Sequence, residues 1–405
     1  MRKRTGRLTC VVALAAAVIV TVAAGTAAAQ SPSQWVAAFW PTARAAGISQ
    51  KTYQAALGNF APDPDILKRA AAQAEFNMPI WAYLDQMVSD ERLAKGRTAL
   101  ATYGDLLAKV EKRYGVDRYV VLAIWGIESH YGAVLSNPRL YKQTIPALAT
   151  LAYSSGRLAK FGRTQLVSAL KILQRGDISL SGMTGSWAGA MGQTQFIPTT
   201  FEAYAVDFDG DGRRNIWTST ADALASTANY LRISGWRPGE TWGYEVRVPA
   251  GFQMPRNAAH PVSWWARQGF LRANGALFPR GSDMATLLTP AAPKAGPAFL
   301  LLPNFRAIKH YNNANSYALA VGYLADRLRG GGEFVQAWPD RQAPLSDDVA
   351  KRLQLALTMA GYYSGPIDGD LGSGTRDAIR SFQRELGMTP DGIPSMTLLE
   401  QLEGP

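Results

Sequence analysis

The run Tyr119-Val120-Val121-Leu122-Ala123-Ile124-Trp125-Gly126-Ile127-Glu128 constrains this chain more than any other stretch. It is almost wholly apolar, and Glu128 is the only carboxylate between Arg118 and His130. The spacing predicts a helix. Glu128 falls four residues after Ile124 and seven after Val121, so it shares their apolar face. Desolvation there favours the neutral acid and raises its pKa. A carboxylic acid kept neutral near pH 7 can give its proton to a leaving group. The alternative is a helix that ends near Ile127 and leaves Glu128 at the surface. A negative charge at a helix C-terminus opposes the dipole, which weighs against that alternative.

The chain of 405 residues has room for two or three domains. Its 47% hydrophobic and 18% charged residues exclude disorder as a description of the whole. A single cysteine, Cys10, excludes a disulfide framework, and three histidines argue against a polyhistidine metal site. Arg2, Lys3, Arg4 and Arg7 precede an apolar run from Leu8 to Ala24, and Ala27-Ala28-Ala29 offers a small-residue cleavage site. Residues 1–29 therefore read as a secretory signal peptide. An uncleaved membrane anchor is the alternative, though the run is short for a full span. Cys10 stands at the start of the apolar run, not its end, so a lipoprotein is not expected. Cleavage would reduce the formal charge from +11 to +7 and leave no cysteine.

From Trp35 to about Leu328 the pattern is mostly helical, broken by clusters such as Ser136-Asn137-Pro138 and Gly235-Trp236-Arg237-Pro238-Gly239. One short strand is expected over Tyr244 to Pro249, and a loop over 289–297. Gly330-Gly331-Gly332 opens a linker over 333–343. A separate unit follows over 344–405, with three helices. Ser346 caps the first, with Leu353 and Leu357 on its apolar face. Thr375 caps the second, with Ile379, Phe382 and Leu386 as its stripe. Met396, Leu399 and Leu402 belong to the third.

Asp207-Phe208-Asp209-Gly210-Asp211-Gly212-Arg213 has carboxylates at loop positions one, three and five and glycine at six. That is the first half of a calcium loop, in which Arg213 would offer only its backbone carbonyl. Position twelve is Thr218, where a standard loop has glutamate, and the next carboxylate is Asp222. An Asx-rich turn at a helix junction is the alternative.

Three separated motifs carry a family resemblance. Glu128-Ser129-His130-Tyr131-Gly132 resembles the Glu-Ser/Thr-x-x-Gly signature of lytic transglycosylases with a goose-type-lysozyme-like core. Ser186-Trp187-Ala188-Gly189-Ala190-Met191-Gly192-Gln193-Thr194-Gln195-Phe196-Ile197-Pro198 resembles the second signature of the B-type lytic murein transglycosylases, glycoside hydrolase family 103. Leu302-Pro303-Asn304-Phe305 and Tyr311-Asn312, with Tyr317 beyond, are similar to its third. Leu353-Gln354, Gly361-Tyr362-Tyr363, Gly365-Pro366-Ile367-Asp368-Gly369 and Phe382-Gln383 resemble a three-helix peptidoglycan-binding domain.

The resemblance implies a mainly α, lysozyme-like catalytic domain over 31–332, with an EF-hand-like loop, followed by a wall-binding module. It implies cleavage of the MurNAc–GlcNAc β-1,4 bond with a 1,6-anhydro product. Glu128 would act first as acid and then as base. Two-carboxylate glycosidases need a second acidic residue, and none stands beside either motif at a comparably apolar position. Ser186 and Gln195 would bind acetamido or hydroxyl groups. Tyr230, Tyr311 and Tyr317 would line the cleft, although a lone tyrosine suits a core equally well. Arg157 would face the acidic stem or lactyl group, or else be a solvated helix charge. Asp222 would close the metal set Asp207, Asp209, Asp211 and Arg213 around a structural Ca²⁺. No organic cofactor is implied.

The expected product is a periplasmic monomer that acts on glycan strands, not nucleic acid, with cell-wall synthesis or divisome proteins as candidate partners. A hydrolytic muramidase and a non-catalytic wall-binding protein are the rival readings.

Overall fold

The computed structural model describes residues 30–403 except 72–78, 136, 138–140, 253–257, 292–295, 339–344, 387, 389 and 391. The expected leader over 1–29, Cys10 included, and residues 339–343 of the expected linker lie outside the described residues. No described helix is long and apolar enough to cross a membrane.

The chain opens with α1 (Pro32–Ala45), α2 (Gln50–Leu57) and α3 (Pro64–Ala71). Ser31 starts α1 with a reciprocal cap. Its hydroxyl accepts from the Gln34 N–H, and its own N–H donates to the Gln34 side chain. Then come α4 (Ile80–Met87), α5 (Asp90–Tyr114) and α6 (Arg118–Ser129). A two-residue strand β1 (Lys142–Gln143) leads into α7 (Thr144–Tyr153) and α8 (Arg157–Arg175). Its antiparallel partner β2 (Thr184–Gly185) precedes α9 (Pro198–Tyr204) and α10 (Thr220–Ile233).

A small sheet interrupts the helices. It contains β3 (Gly243–Arg247), β4 (His260–Pro261), β5 (Leu271–Arg272), β6 (Met284–Leu288) and β7 (Ala298–Leu301), with α11 (Val262–Arg267) between β4 and β5. The order is β4-β6-β7-β3-β5, antiparallel throughout. Only β3 was expected, and it ends at Arg247 rather than Pro249. Proline has no N–H to add to the ladder. The other strands are two residues long, or are built mostly from Met, Ala and Leu with a single Thr or Phe, and carry no β-branched alternation to betray them. Then α12 (Pro303–Tyr311) and α13 (Asn315–Leu328) complete the region.

The helix expected around Glu128 is α6, and it is enclosed on more than one face. Val121, Leu122, Ala123 and Ile124 are fully buried, under α5, α10 and α13. A helix apolar on all sides is stable only inside a core. Two of the hydrophobic cores lie on either side of a seam. One surrounds α6 and α13, and the other joins α1 and α2 to α7 and α8. Tyr230 and Tyr311 pack against both, so they mark the seam between the two halves.

The C-terminal unit has α14 (Asp347–Met359), α15 (Ser373–Glu385) and α16 (Met396–Glu403) around Leu353, Leu357, Ile379 and Leu399. Ser346 caps α14, accepting from the Val349 N–H at 3.4 Å. Thr375 is not a cap: α15 begins at Ser373, and Thr375 is buried with its hydroxyl 3.4 Å from the Gln354 amide. Leu386 follows the helix and is 46% exposed. Within the expected linker, Phe334 and Trp338 pack on the core around α6. The Val335 and Gln336 N–H groups donate to the Glu245 carboxylate at 2.8 and 2.9 Å. That stretch is docked on the helical region before it rather than free.

Candidate active site

The chain leaves α6 through three residues with positive φ: His130 at 55°, Tyr131 at 59° and Gly132 at 81°. The His130 N–H returns to the Gly126 carbonyl, and the Ser129 hydroxyl accepts from the Gly132 N–H at 3.0 Å. The Tyr131 ring folds back onto the helix. A Cβ on Gly126 would lie 2.5 Å from that ring, so only glycine fits there. These constraints stop the helix one residue after Glu128. Glu128 is thus near a helix end, as the surface alternative required, yet it is half-buried rather than solvated.

The Tyr317 hydroxyl donates to Glu128 Oε1 at 2.6 Å. Burial pushes the Glu128 carboxyl up to about 7, and the Tyr317 hydrogen bond works against that rise. No charged side chain among the described residues contributes to its titration. Four tyrosines lie within its field: Tyr83 from α4, Tyr141, Tyr311 from α12 and Tyr317 from α13. Burial pushes the Tyr83 and Tyr141 phenols up to about 12 and raises those of Tyr311 and Tyr317 well above the ordinary phenol value, so all four are neutral donors at working pH. Sequence reasoning missed Tyr83 and Tyr141. A lone tyrosine without a motif carries no signal that separates it from core.

A chain of contacts then joins the three motifs. Glu128 meets Tyr317, whose ring stacks with Tyr311 at 6.4 Å. The Tyr311 hydroxyl donates to the Thr194 carbonyl at 2.5 Å. Tyr230 meets Tyr311 edge-on at 5.1 Å, and Phe196 lies within 6 Å of both. Tyr317 is almost wholly buried, so it holds the acid rather than presenting a ring to a sugar. Tyr230 and Tyr311 are half-buried.

The second motif is a compact loop. Ser186 Oγ accepts from the Ala190 N–H at 3.1 Å, and Gln195 Nε2 donates to the Gly192 carbonyl at 2.8 Å. Gln195 adopts φ 53°, an unusual backbone for a side chain of its size. Its glycines are set by protein neighbours: a Cβ on Gly192 would lie 2.6 Å from the Ile216 carbonyl oxygen, and one on Gly189 2.4 Å from Leu148. Arg157 stands exposed at the first residue of α8, and no hydrogen bond or ion pair ties it to Glu128.

In the loop after α9 and the first turn of α10, one carboxylate oxygen each from Asp207, Asp209, Asp211 and Asp222 lies within 4.8 Å of the others. Asp222 is buried, which pushes its carboxyl up, although the Phe208 and Asn215 N–H groups donate to it at 2.7 and 2.8 Å. Its place is seven residues beyond Asn215 and four beyond Thr218, so the closing carboxylate comes from the first turn of α10. An all-oxygen set of four carboxylates fits a hard divalent cation such as Ca²⁺.

Residues 31–326 match the transglycosylase SLT domain family. The chain belongs to that family. Residues 346–402 match the peptidoglycan binding domain family. Among relatives of this transglycosylase region, membrane-bound lytic murein transglycosylase B of Escherichia coli is 31% identical over 252 residues, covering 61% of this chain and 66% of that protein. The chain thus spans just under two thirds of that relative's length. The crystal structure of SltB3 from Pseudomonas aeruginosa in complex with NAG-anhNAM-pentapeptide is 48% identical, with a TM-score of 0.75 over 93% of this chain and 100% of that one. Escherichia coli Slt35 in complex with calcium is 26% identical, with a TM-score of 0.61 over 74% of this chain and 93% of that one. The mainly helical, lysozyme-like reading of the transglycosylase region agrees with these structures.

Proposed function

We propose that this chain is a lytic transglycosylase that cleaves the MurNAc–GlcNAc β-1,4 bond of peptidoglycan and leaves 1,6-anhydro-MurNAc ends. The observation that carries this is Glu128, a lone carboxyl pushed up to about 7 by burial, with no charged partner among the described residues and one tyrosine donor. A pKa near working pH suits a group that must give a proton and take one back. A second catalytic carboxylate about 5–10 Å away, as hydrolases use, would act on that titration.

Glu128 protonates the bridging oxygen as the C1–O bond breaks. The muramic 6-hydroxyl then bonds to C1 and returns its proton to Glu128, so no water is consumed. Intramolecular attack replaces the missing nucleophile and can contribute up to about 7–11 kcal/mol. Tyr317 stabilises the carboxylate in the interval. Ser186, Gln195, Tyr230 and Tyr311 bind the sugars along the seam, and Arg157 meets the lactyl group. Asp207, Asp209, Asp211, Asp222 and the Arg213 carbonyl hold a structural Ca²⁺ that braces the loop before α10. The catalytic region spans 31–332, and the unit over 344–405 tethers it to the wall, raising local substrate concentration. The leader carries the protein to the periplasm, where it works as a monomer.

The test is mass spectrometry of muropeptides released from purified sacculi. Anhydro ends are expected. Reducing ends carrying one added water would replace this reading with the muramidase one.

A further inference from the structure

A groove of about 640 Å³ lies between α12 and the sheet. Its floor is apolar, with Trp265, Leu301 and Phe305. Arg306 and Lys309 stand along one wall, three residues apart and so on one face of α12. Among the described residues, no aspartate or glutamate lines the groove. Arg306 is exposed and Lys309 half-buried, and neither has a hydrogen bond or ion pair among the described residues. Elsewhere on this surface arginines are commonly paired, as Arg280 is with Glu240 and Asp283. Two unpaired cations over an apolar floor suit a ligand with separated carboxylates and small apolar groups.

The groove is also near the reaction along the chain. Lys309 is two residues before Tyr311, and Asn315, another lining residue, is two before Tyr317, which holds Glu128. A pentapeptide extends to about 17 Å. We propose that this groove takes the acidic, alanine-rich peptide stem of a peptidoglycan strand, with Arg306 and Lys309 meeting its carboxylates. The proposal rests on the reading of the chain as an enzyme that acts on peptidoglycan.

The experiment compares the full chain with Arg306→Ala/Lys309→Ala on strands that keep their stems and on strands stripped of them by an amidase. KM on stemmed strands should rise about tenfold, the loss expected for two partly exposed ion pairs. On both strands kcat should stay unchanged, as should KM on stripped ones. Arg306→Lys/Lys309→Arg should keep the wild-type KM on stemmed strands, and added salt should erase the difference. An unchanged KM on stemmed strands, or an equal rise on stripped ones, would overturn the proposal. Calorimetry with the free pentapeptide reads the same groove without turnover: weaker binding by the double alanine variant is expected, and equal binding counts against the stem. Wild-type products lacking the anhydro ring would overturn the reading of the reaction and leave this comparison intact.

Discussion

The Tyr317 hydroxyl sits 2.6 Å from Glu128 Oε1, although the two residues are 189 positions apart in the chain. Burial raises the acid and this one hydrogen bond lowers it. Removing the bond should therefore move Glu128 further up. In Tyr317→Phe the alkaline limb of the pH–rate profile should shift to higher pH. The ionised base would also lose a charge-assisted bond of about 1.5–3 kcal/mol, so kcat should fall by about ten- to a hundredfold. A limb that stays in place would refute the role given to Tyr317.

Glu128 itself links activity to stability. Its folded pKa is about 7 against an ordinary 4.5, so the folded state keeps a proton that the unfolded chain releases between those values. Its contribution to stability is full below about pH 4.5 and is lost as the pH rises through about 7. Glutamine has the same shape and no charge to bury. Glu128→Gln should abolish turnover, and its Tm relative to the wild type should climb from pH 5 to pH 8. Calorimetric melts across that range decide it; a flat difference would mean the carboxyl is not desolvated.

Calcium should act on the melt rather than on the chemistry. A ligand at a hundred times its Kd adds about 2.7 kcal/mol to stability. Chelation should lower the Tm of the wild type, and added Ca²⁺ should restore it. Asp211 is exposed, and its carboxylate accepts only a local N–H, from Arg213 at 2.8 Å. Asp211→Asn should fold and lose most of the Ca²⁺ response. A wild-type Tm indifferent to chelator would remove calcium from the account.

Strain in the second motif separates function from stability. At φ 65°, with the Ile216 carbonyl oxygen 2.6 Å from any Cβ, Gly192→Ala should cost about 1–3 kcal/mol and reduce activity. Gln195 bears the opposite prediction. It holds φ 53° despite its side chain, so Gln195→Gly should relieve backbone strain, keep or raise the Tm, and still lose activity. Denaturant melts and turnover measured together would show this divergence; a joint loss would mark Gln195 as merely structural.

Much of the site could be read from local pattern. Glu128 showed itself because one carboxylate in an apolar helix is costly unless it has a use. Asp207, Asp209 and Asp211 showed themselves because three carboxylates so close around a glycine turn repel one another unless a cation lies between them. Thr375 was misjudged because threonine before an apolar stripe looks like a cap, while its hydroxyl in fact lies buried beside Gln354. The sheet was missed because its strands are short or made of residues that also form helices. Arg306 and Lys309 drew no attention, since two cations on a helix ordinarily face water.

By itself the sequence determined the helix that carries Glu128, the spacing of three loop aspartates and the hydrophobic faces of the C-terminal helices. These depend on neighbours within a few residues, which periodicity and turn chemistry reach. Only the tertiary structure decided that Tyr317, Tyr311 and Thr194 would line up behind Glu128, and that Tyr83 and Tyr141 would stand in its field. It also decided how far the carboxyl is raised. Desolvation and hydrogen bonding depend on what packs over a group, and here most of that comes from chain far away in sequence.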